Sequence, residues 1–450
     1  MVRQSAHNRY CTLVELVGYI NLNLPVNPKQ MTKILSKWVI LPLIILCIIA
    51  CGSSNLDGVT TVTLGGWQSS PTEKQLLEQV LKEFEAKHPK VKVKLEVITG
   101  QYMDVIKTRL IGDAAPDIFY LDAYEAPLLM IHDVLEPLDD YIKRTDNFDV
   151  ADFEPSLFKA FQYNGIIYGL PKDFSTLALF YNKQLFKQAN LTQPPQTWEE
   201  LRDYSQKLTV DKNRDGRNER YGLGINQELA RLYFFIKAFG ANLVDKNGYA
   251  TFATPESFKS LKTVIDLYRN YQSAALPSDV GASSGSEMFG QGKTAMVIEG
   301  SWAIPYLKDT FPKIKFATAE VPSLGSKKGT MAYTVAYVMN KQAQHKEAAW
   351  QLISYLTGKE GMKAWGKAGL VLPSRLSVLS ELGYQKNPLY APFIKGAAYA
   401  TIWQAGETLP TIQTHFDNQF LSALLGEQSL ESAMNKAQES ANEEIRAGDY

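Results

Sequence analysis

The chain has 450 residues, of which 45% are hydrophobic and 21% are charged, so it is long enough for two or three packed domains and is not biased towards disorder. Its formal charge is zero, but residues 1–50 hold five Lys/Arg and one acidic residue, which leaves 42 basic and 46 acidic side chains beyond them. This balance argues against a nucleic-acid partner, which usually requires a basic face. All three cysteines precede residue 52, so the rest of the chain has no disulfide framework, zinc-cysteine cluster or cysteine nucleophile.

An apolar run lies near the start of the chain and is followed by Cys51. Its 13 residues, Trp38–Ala50, are fewer than the roughly 20 of a transmembrane helix. Basic residues precede the run, and a small residue stands next to the cysteine, which is typical of a secretory signal with its cleavage site. A buried core helix that ends at a chance cysteine is the weaker alternative. The depth of the run is explained if translation starts at Met31, and the alternative is a real N-terminal extension.

The chain after this signal opens with a β-α-β pattern. Residues 59–67 alternate as a strand does, an amphipathic helix follows in "TEKQLLEQVLKEFEAKHP", and residues 91–97 alternate again. A helix around 102–111 leads into "DIFYLD", a short apolar strand that ends at Asp122. Such alternation predicts α/β layers with mainly parallel sheets, in which ligands gather at the carboxyl ends of the strands.

The later segments continue this alternation. Strands are predicted at 165–171 and 177–182, a helix from Trp198 to Leu208, and a short strand from Ala295 to Ile298. Two more amphipathic helices are predicted in "ESFKSLKTVIDLYRNY" and "KEAAWQLISYLTGKEGMKAW".

Two motifs suggest other chemistry. The loop "DKNRDGRNERYG" matches the first half of an EF-hand calcium loop, but its twelfth position is Gly222, and only Glu219 is placed to contribute a late carboxylate. A polar turn centred on Asp215-Gly216 is therefore preferred, and no metal site is predicted. "FGQGKTA" resembles a phosphate-binding loop, but the required first glycine is Glu287. No cofactor is predicted.

Several segments together resemble the extracellular solute-binding proteins of ABC importers, in particular the carbohydrate-binding family 1 that includes maltodextrin-binding proteins. The resemblance rests on "APDIFYLD", "NGIIYGLP" followed by "LFYNKQLF", "PPQTWEEL", "FGQGKTAMVIEGSW", and "KEAAWQLISYLTGKEG" leading to "GLVLPSR". In order and spacing these segments cover nearly all of the chain from Val59 onward. As a set they are specific for the family but not for its ligand.

The resemblance implies a periplasmic-binding-protein type II fold, in which two α/β lobes are joined by a three-segment hinge around a ligand cleft. The hinge crossings are expected near Phe174 to Thr176, Met331 to Thr334 and Leu372 to Ser374. The expected divisions are an extension (1–30), a lipoprotein signal peptide (31–50), a tether (51–57), an N-terminal lobe (58–173 plus 334–372) and a C-terminal lobe (174–333 plus 373–450).

The resemblance also implies ligand-binding residues at the ends of strands. Trp302 in "EGSW" matches a stacking aromatic of the family, with a core tryptophan as the alternative. Trp67 would face the same cleft or pack inward, and Asp122 would bind hydroxyls or cap a helix that begins at Ala123. The remaining candidates are Lys172 and Asp173, for which a salt bridge on the hinge surface is equally plausible, and Tyr233, Tyr333, Tyr337, Trp403 and Phe416, for which core packing competes.

The leading function is a lipid-anchored receptor that binds a sugar or oligosaccharide outside the cell membrane, as a monomer, and passes it to the permease subunits of an ABC importer. Cys51 would carry the lipid, since its context resembles a bacterial lipobox. A secreted glycosidase is the enzyme alternative, and it would need two carboxylates about 5 to 9.5 Å apart. A two-lobe binding protein for an anion or an iron chelate is the third possibility.

Overall fold

The computed structural model describes residues 58–68, 71–213, 218–367, 369 and 371–448. The predicted signal, the start at Met31 and the lipidation site Cys51 lie outside these residues. Among the described helices, none is long and apolar enough to cross a membrane.

Thirteen strands are described in this part of the chain. They are β1 (Thr60–Gly66), β2 (Val91–Val97), β3 (Ile118–Asp122), β4 (Gln162–Tyr163), β5 (Ile166–Ile167), β6 (Gly169–Asn182), β7 (Tyr221–Gly224), β8 (Ala274–Ala275), β9 (Thr294–Gly300), β10 (Phe316–Ala319), β11 (Thr330–Met339), β12 (Leu372–Pro373) and β13 (Ala400–Ile402).

The α-helices alternate with these strands. They are α1 (Pro71–Lys87), α2 (Tyr102–Ile111), α3 (Ala126–Ile131), α4 (Asp139–Lys143), α5 (Pro155–Lys159), α6 (Lys183–Gln188), α7 (Trp198–Leu208), α8 (Leu229–Ala238), α9 (Pro255–Ile265), α10 (Gly285–Gly290), α11 (Ala303–Thr310), α12 (Lys346–Thr357), α13 (Lys359–Gly366), α14 (Leu376–Glu381), α15 (Ala391–Ala397), α16 (Leu409–Leu425) and α17 (Leu430–Ala447). Short 3₁₀ turns occur at Val150–Asp152, Pro277–Val280 and Tyr384–Lys386, and a π-helical turn at Asp266–Asn270.

The local sequence explains where these helices begin and which face they bury. In α9, Pro255 occupies the first turn, where its missing N–H costs no hydrogen bond, and the Thr254 side chain accepts the N–H of Ser257. In α1, residues at helical spacing are buried, as the amphipathic pattern predicts. The buried side chains of this face are Leu77, Val80, Leu81 and Phe84.

Eleven of the described strands form one mixed sheet in the order β2-β1-β3-β11-β6-β9-β7-β8, with β10 and β12 paired to β6 and β13 paired to β11, and β4 and β5 form a separate hairpin. The strands β1, β2 and β3 are parallel to one another, as are β7, β8 and β9, whereas β6 and β11 run antiparallel to these neighbours. The prediction of mainly parallel sheets is therefore wrong. Long antiparallel strands connect the two parallel groups.

The two strands predicted at 165–171 and 177–182 are also wrong in their bounds. Residues 166–167 form the small hairpin strand β5, and β6 runs without a break from Gly169 to Asn182. The predicted helix Trp198–Leu208 is confirmed, and the strand predicted at 295–298 is β9, which is longer by three residues.

Separate hydrophobic cores lie on either side of the midpoint of β6. The amino-terminal core packs α1, α12 and α13 against β1 and β3, and the carboxy-terminal core packs α8, α9 and α16 against β7 and β9. A third core, around Phe180 and Phe393, covers the other side of β6. The three predicted hinge segments lie side by side, because Phe174 pairs with both Thr334 and Leu372. The exact lobe boundaries stay a prediction.

Candidate functional site

Strand ends from both cores converge on one short segment of the sheet. Asp122, the last residue of β3, pairs with Val335, and Gly300, the last residue of β9, pairs with Leu177. Residues 173–176 of β6 pair with residues 332–335 of β11, so both strand ends reach the same few residues. Ligands of α/β proteins bind at such carboxyl ends, and we therefore place the candidate site here.

Trp67 forms the side of the site next to the amino-terminal core. It follows β1 directly, is partly exposed, and meets the edges of the Tyr102 and Tyr120 rings at centroid distances of 4.8 and 5.2 Å. Gly66 permits this arrangement, since a Cβ there would lie 2.8 Å from the Tyr120 ring. The Tyr102 hydroxyl donates to the backbone carbonyl of Tyr120 at 3.0 Å. The Trp67 ring is thus supported from behind by two fixed rings.

Asp122 lies partly buried at the end of β3. Its Oδ1 accepts the N–H of Tyr124 at 2.9 Å in a tight turn, and the following helix α3 begins only at Ala126. The alternative that Asp122 caps a helix starting at Ala123 is therefore wrong. Burial raises the pKa of Asp122 to about 6, the bond from Tyr124 offsets part of this rise, and the nearby charges of Glu125 and Asp173 add to it.

Tyr124 and Trp403 connect the two sides of the site. Their rings stack with a centroid distance of 5.6 Å and an angle of 7°. Trp403 belongs to the carboxy-terminal core, where its ring also meets the Tyr233 ring at 6.3 Å. The Gln404 side chain donates to the carbonyls of Ala123 and Ala160 at 2.8 and 2.9 Å.

Trp302 belongs to a group that we name the Glu299 cluster, which consists of Arg231, Glu299, Trp302 and Tyr333. The indole N–H of Trp302 donates to Oε2 of Glu299 at 3.2 Å, and the same oxygen lies 3.4 Å from Nη2 of Arg231. The guanidinium lies over the rings of Trp302 and Tyr333, at 5.2 and 5.6 Å from their centroids. Trp302 and Tyr333 are both partly exposed. The cluster thus places two partly exposed aromatic rings and a guanidinium near the convergent strand ends.

Lys172 and Asp173 belong to a second group, the Asp173 cluster, which also contains Tyr120 and Trp365. The register of β6 against β11 shifts here, and this bulge turns the two neighbouring side chains towards each other. Lys172 forms an ion pair with Asp173 and lies 4.7 and 4.8 Å from the centroids of the Tyr120 and Trp365 rings. Asp173 accepts the indole N–H of Trp365 at 3.2 Å. All four residues are at most 5% exposed.

The structure therefore divides the predicted site residues. Trp67, Asp122, Trp302 and Tyr333 lie partly exposed around the convergent strand ends. The other candidates are buried within the protein, and the structure shows no open surface for them; they are Lys172, Asp173, Tyr233, Tyr337, Trp403 and Phe416. The salt bridge proposed for Lys172 and Asp173 is present, but it is buried and not on the hinge surface.

Sequence reasoning missed Arg231, Glu299 and Tyr124. Glu299 was visible as the charged residue at the end of an apolar strand in "MVIEGSW", the same signal that selected Asp122. Arg231 had no such signal, because it lies in the apolar helix α8 and meets Glu299 only through the fold.

The segment "DKNRDGRNERYG", which partly matches a calcium loop, lies partly outside the residues that the structure describes, since Asp215 and Gly216 lie among 214–217. In the described part of this loop, Oε2 of Glu219 accepts the N–H of Lys212 at 2.7 Å. Within the described ranges, no group of three His, Cys, Asp or Glu side chains is arranged to hold a metal ion.

A mixed α/β fold with strand ends converging between two cores, lined by aromatic rings and carboxylates, defines a solute-binding protein. The model of the family "bacterial extracellular solute-binding protein" matches residues 68–363, and the chain belongs to this family. The predicted fold class, two α/β lobes joined by a three-segment hinge around a cleft, is confirmed, and so is the prediction that the protein is a binding component of an importer and not an enzyme.

Three known proteins illustrate the similarity. The mannitol-binding protein of Pseudomonas aeruginosa is 26% identical over 408 residues, which are 83% of this chain and 91% of that protein. An ABC substrate-binding protein from Listeria monocytogenes, solved in complex with cycloalternan, has a TM-score of 0.78 and 22% identity, with 86% of this chain and 99% of that chain covered. A solute-binding protein from Thermotoga lettingae, bound with α-D-tagatose, has a TM-score of 0.75 and 26% identity, with 85% and 99% covered.

Proposed function

We propose that this protein captures a sugar or oligosaccharide between its two lobes and delivers it to the permease of an ABC importer. The observation that carries the proposal is that Trp67 and Asp122 from one core and Trp302 from the other lie, partly exposed, at strand ends that converge on the same segment of β6 and β11. A sugar has apolar C–H faces that stack on such rings and hydroxyls that donate to a carboxylate. A ligand that contacts both sides stabilises the closed lobes more than the open ones, which is what couples binding to delivery.

The polar groups of this site suit an uncharged ligand. Arg231 is compensated by Glu299, so it acts as a hydrogen-bond donor more than as a free cation. Its Nη1 atom is buried and has no hydrogen-bond partner among the described residues, which is costly unless a ligand oxygen accepts from it. Asp122 supplies the acceptor on the opposite side. The relatives bind a polyol, a cyclic oligosaccharide and a ketose according to their names, and this range supports a carbohydrate without specifying its size.

The membrane attachment is a further part of the proposal. Cys51 would carry a lipid that holds the protein, as a monomer, on the outer face of the cell membrane, next to its permease. The full chain and its Cys51→Ser variant would be expressed in a bacterial host and separated into membrane and soluble fractions. We expect the variant to leave the membrane fraction, and its retention there would refute lipidation at this residue.

The hypothesis that the ligand is a sugar is tested with a thermal-shift panel on purified residues 52–450, which contain every described residue. The panel contains mannitol, tagatose, mannobiose and maltotriose, with phosphate and ferric citrate as non-sugar ligands. A ligand at 100 times its Kd stabilises the folded protein by about 2.7 kcal/mol, so a true ligand gives a clear shift. We expect a shift with at least one carbohydrate. A shift with phosphate or ferric citrate alone would contradict the proposal.

The Trp302→Ala variant locates the binding on the molecule. It removes a ligand-facing ring, and we expect it to raise the Kd of the selected sugar at least about tenfold, which corresponds to 1.4 kcal/mol. Tyr306→Ala is the matched control, because Tyr306 is an exposed aromatic residue on the adjoining helix α11. Equal affinities of the two variants would place the ligand elsewhere.

A further inference from the structure

One oxygen atom, Oε2 of Glu299, holds two groups of the site in place. It accepts the indole N–H of Trp302 at 3.2 Å and lies 3.4 Å from Nη2 of Arg231. The Glu299 side chain is only 3% exposed, whereas that of Arg231 is 23% exposed. Glu299 therefore lies behind the surface that a ligand would meet, and it acts on that surface through its two neighbours.

The Glu299 side chain lies close to the start of the preceding helix, α10. A Cβ atom at Gly285, the first residue of α10, would lie 2.4 Å from Oε1 of Glu299. Glu299 is the sixth residue of β9, whose strand pairing to Ala178 on β6 fixes its backbone. The carboxylate thus packs directly against the first residue of α10, and a methyl group at Gly285 would displace it.

The groups in front of Glu299 restrict one another in turn. The Arg231 guanidinium lies over the rings of both Trp302 and Tyr333, and the Tyr333 hydroxyl donates to the carbonyl of Ala230 at 2.5 Å. The indole is consequently held at its nitrogen by Glu299 and on its face by Arg231. A ring held in this way loses little conformational freedom when a ligand stacks on it. Less of the ligand's binding free energy is therefore lost in ordering the Trp302 side chain.

We propose that Glu299 is a positioning residue of the ligand site, which fixes the plane of the Trp302 ring and the direction of the Arg231 guanidinium. This inference rests on the proposed function, since it assumes that Trp302 contacts the ligand. It assigns to Glu299 no contact with the ligand itself.

Three variants separate positioning from a general structural effect. Glu299→Leu removes both interactions, Glu299→Gln retains an oxygen that can accept the indole N–H, and Gly285→Ala displaces Glu299 without changing any group of the cluster. Thr145→Val is the matched control, because Thr145 accepts the indole N–H of Trp350 at 2.8 Å in the amino-terminal core.

Affinity is measured by isothermal titration with the panel sugar that stabilises the wild type most. We expect Glu299→Leu and Gly285→Ala to raise the Kd about tenfold or more, Glu299→Gln to raise it about threefold, and Thr145→Val to leave it unchanged. Rescue by glutamine is the outcome that a merely structural role does not produce. Wild-type affinity in both Glu299→Leu and Gly285→Ala would overturn the inference.

A second measurement needs no ligand. The near-ultraviolet circular dichroism of Trp302 is the difference between the wild type and Trp302→Phe, and it reports how firmly the indole is held. We expect Gly285→Ala to lose this signal and Glu299→Gln to retain most of it, while an unchanged signal in Gly285→Ala would overturn the inference. If no sugar binds the wild type, the proposed function fails and this spectrum alone decides the role of Glu299.

Discussion

The Asp173 cluster and the Glu299 cluster are built from the same parts. In each, one carboxylate oxygen accepts an indole N–H at 3.2 Å and pairs with a cation that lies over two aromatic rings. The difference is their exposure, since Lys172 and Trp365 are at most 5% exposed whereas Trp302 and Arg231 reach the surface of the site. The same arrangement is therefore buried within the sheet in one place and partly exposed at the candidate site in the other.

The largest expected effect is a difference in the free energy of unfolding between a variant of Asp173 and a variant of Glu299. Asp173→Asn leaves the buried ammonium of Lys172 without its counter-charge, and we expect a loss of about 3–5 kcal/mol in the free energy of unfolding. Glu299→Gln is the matched variant, with an expected loss of about 1–2 kcal/mol, because Arg231 is partly solvated and keeps its aromatic neighbours. Urea unfolding of both variants measures the difference. Equal losses would show that the two clusters have the same role.

The next largest expected effect is a pH dependence of folding stability that comes from Asp122, which lies beside Val335 as Asp173 does. Asp122 and Asp173 flank Val335 on neighbouring strands, but only Asp173 has a cation as its partner. The pKa of Asp122 is raised to about 6 by burial, so the folded state holds its proton at pH values where the unfolded state has released it. Stability from this group is therefore present at low pH and lost as the pH rises through about 6.

The Asp122→Asn variant tests this assignment. We expect it to be more stable than the wild type by about 1–2 kcal/mol at pH 7.5 and nearly equal to it at pH 4, because only the wild type carries a partly buried charge at the higher pH. The variant should also bind the selected sugar more weakly, since an amide accepts hydroxyl bonds less well than a carboxylate. A stability difference that does not change between these pH values would contradict the raised pKa.

The smallest expected effect concerns the contact between the two sides of the site. The stacked rings of Tyr124 and Trp403 are expected to contribute about 0.5–1.5 kcal/mol beyond their buried area. Tyr124→Ala should lower sugar affinity by a few fold, and Tyr124→Phe, which keeps the ring, should not. Equal affinity in these two variants, measured by titration, would show that the stacking plays no part in binding.

Sequence reasoning succeeded where local pattern determines structure. Trp67 follows β1 directly, Asp122 ends β3 and Trp302 stands two residues after β9, and residues at such positions lie at the carboxyl ends of the strands. It failed for the long strand β6, because the polar pair Lys172-Asp173 interrupts the apolar pattern and suggests a break. The bulge that buries this pair depends on the register against β11, which no short stretch of sequence records.

In the candidate site, the contact between Arg231 and Glu299 could not be predicted from the sequence either. Arg231 and Glu299 are 68 positions apart, and Arg231 lies in a helix whose pattern indicates only core packing. The contact arises because α8 packs near the end of β9, which is a property of the tertiary fold. Residues near strand ends, including Glu299, thus carry a signal in the sequence, whereas Arg231 on α8 does not.

The most direct test of this account is a crystal structure of residues 52–450 with the sugar that stabilises the protein most in the thermal-shift panel. We expect the lobes closed on the sugar, a sugar ring stacked on the indole of Trp302, and a sugar hydroxyl donating to the carboxylate of Asp122. A sugar bound away from both residues, with Trp302 and Asp122 in contact only with protein or water, would contradict it.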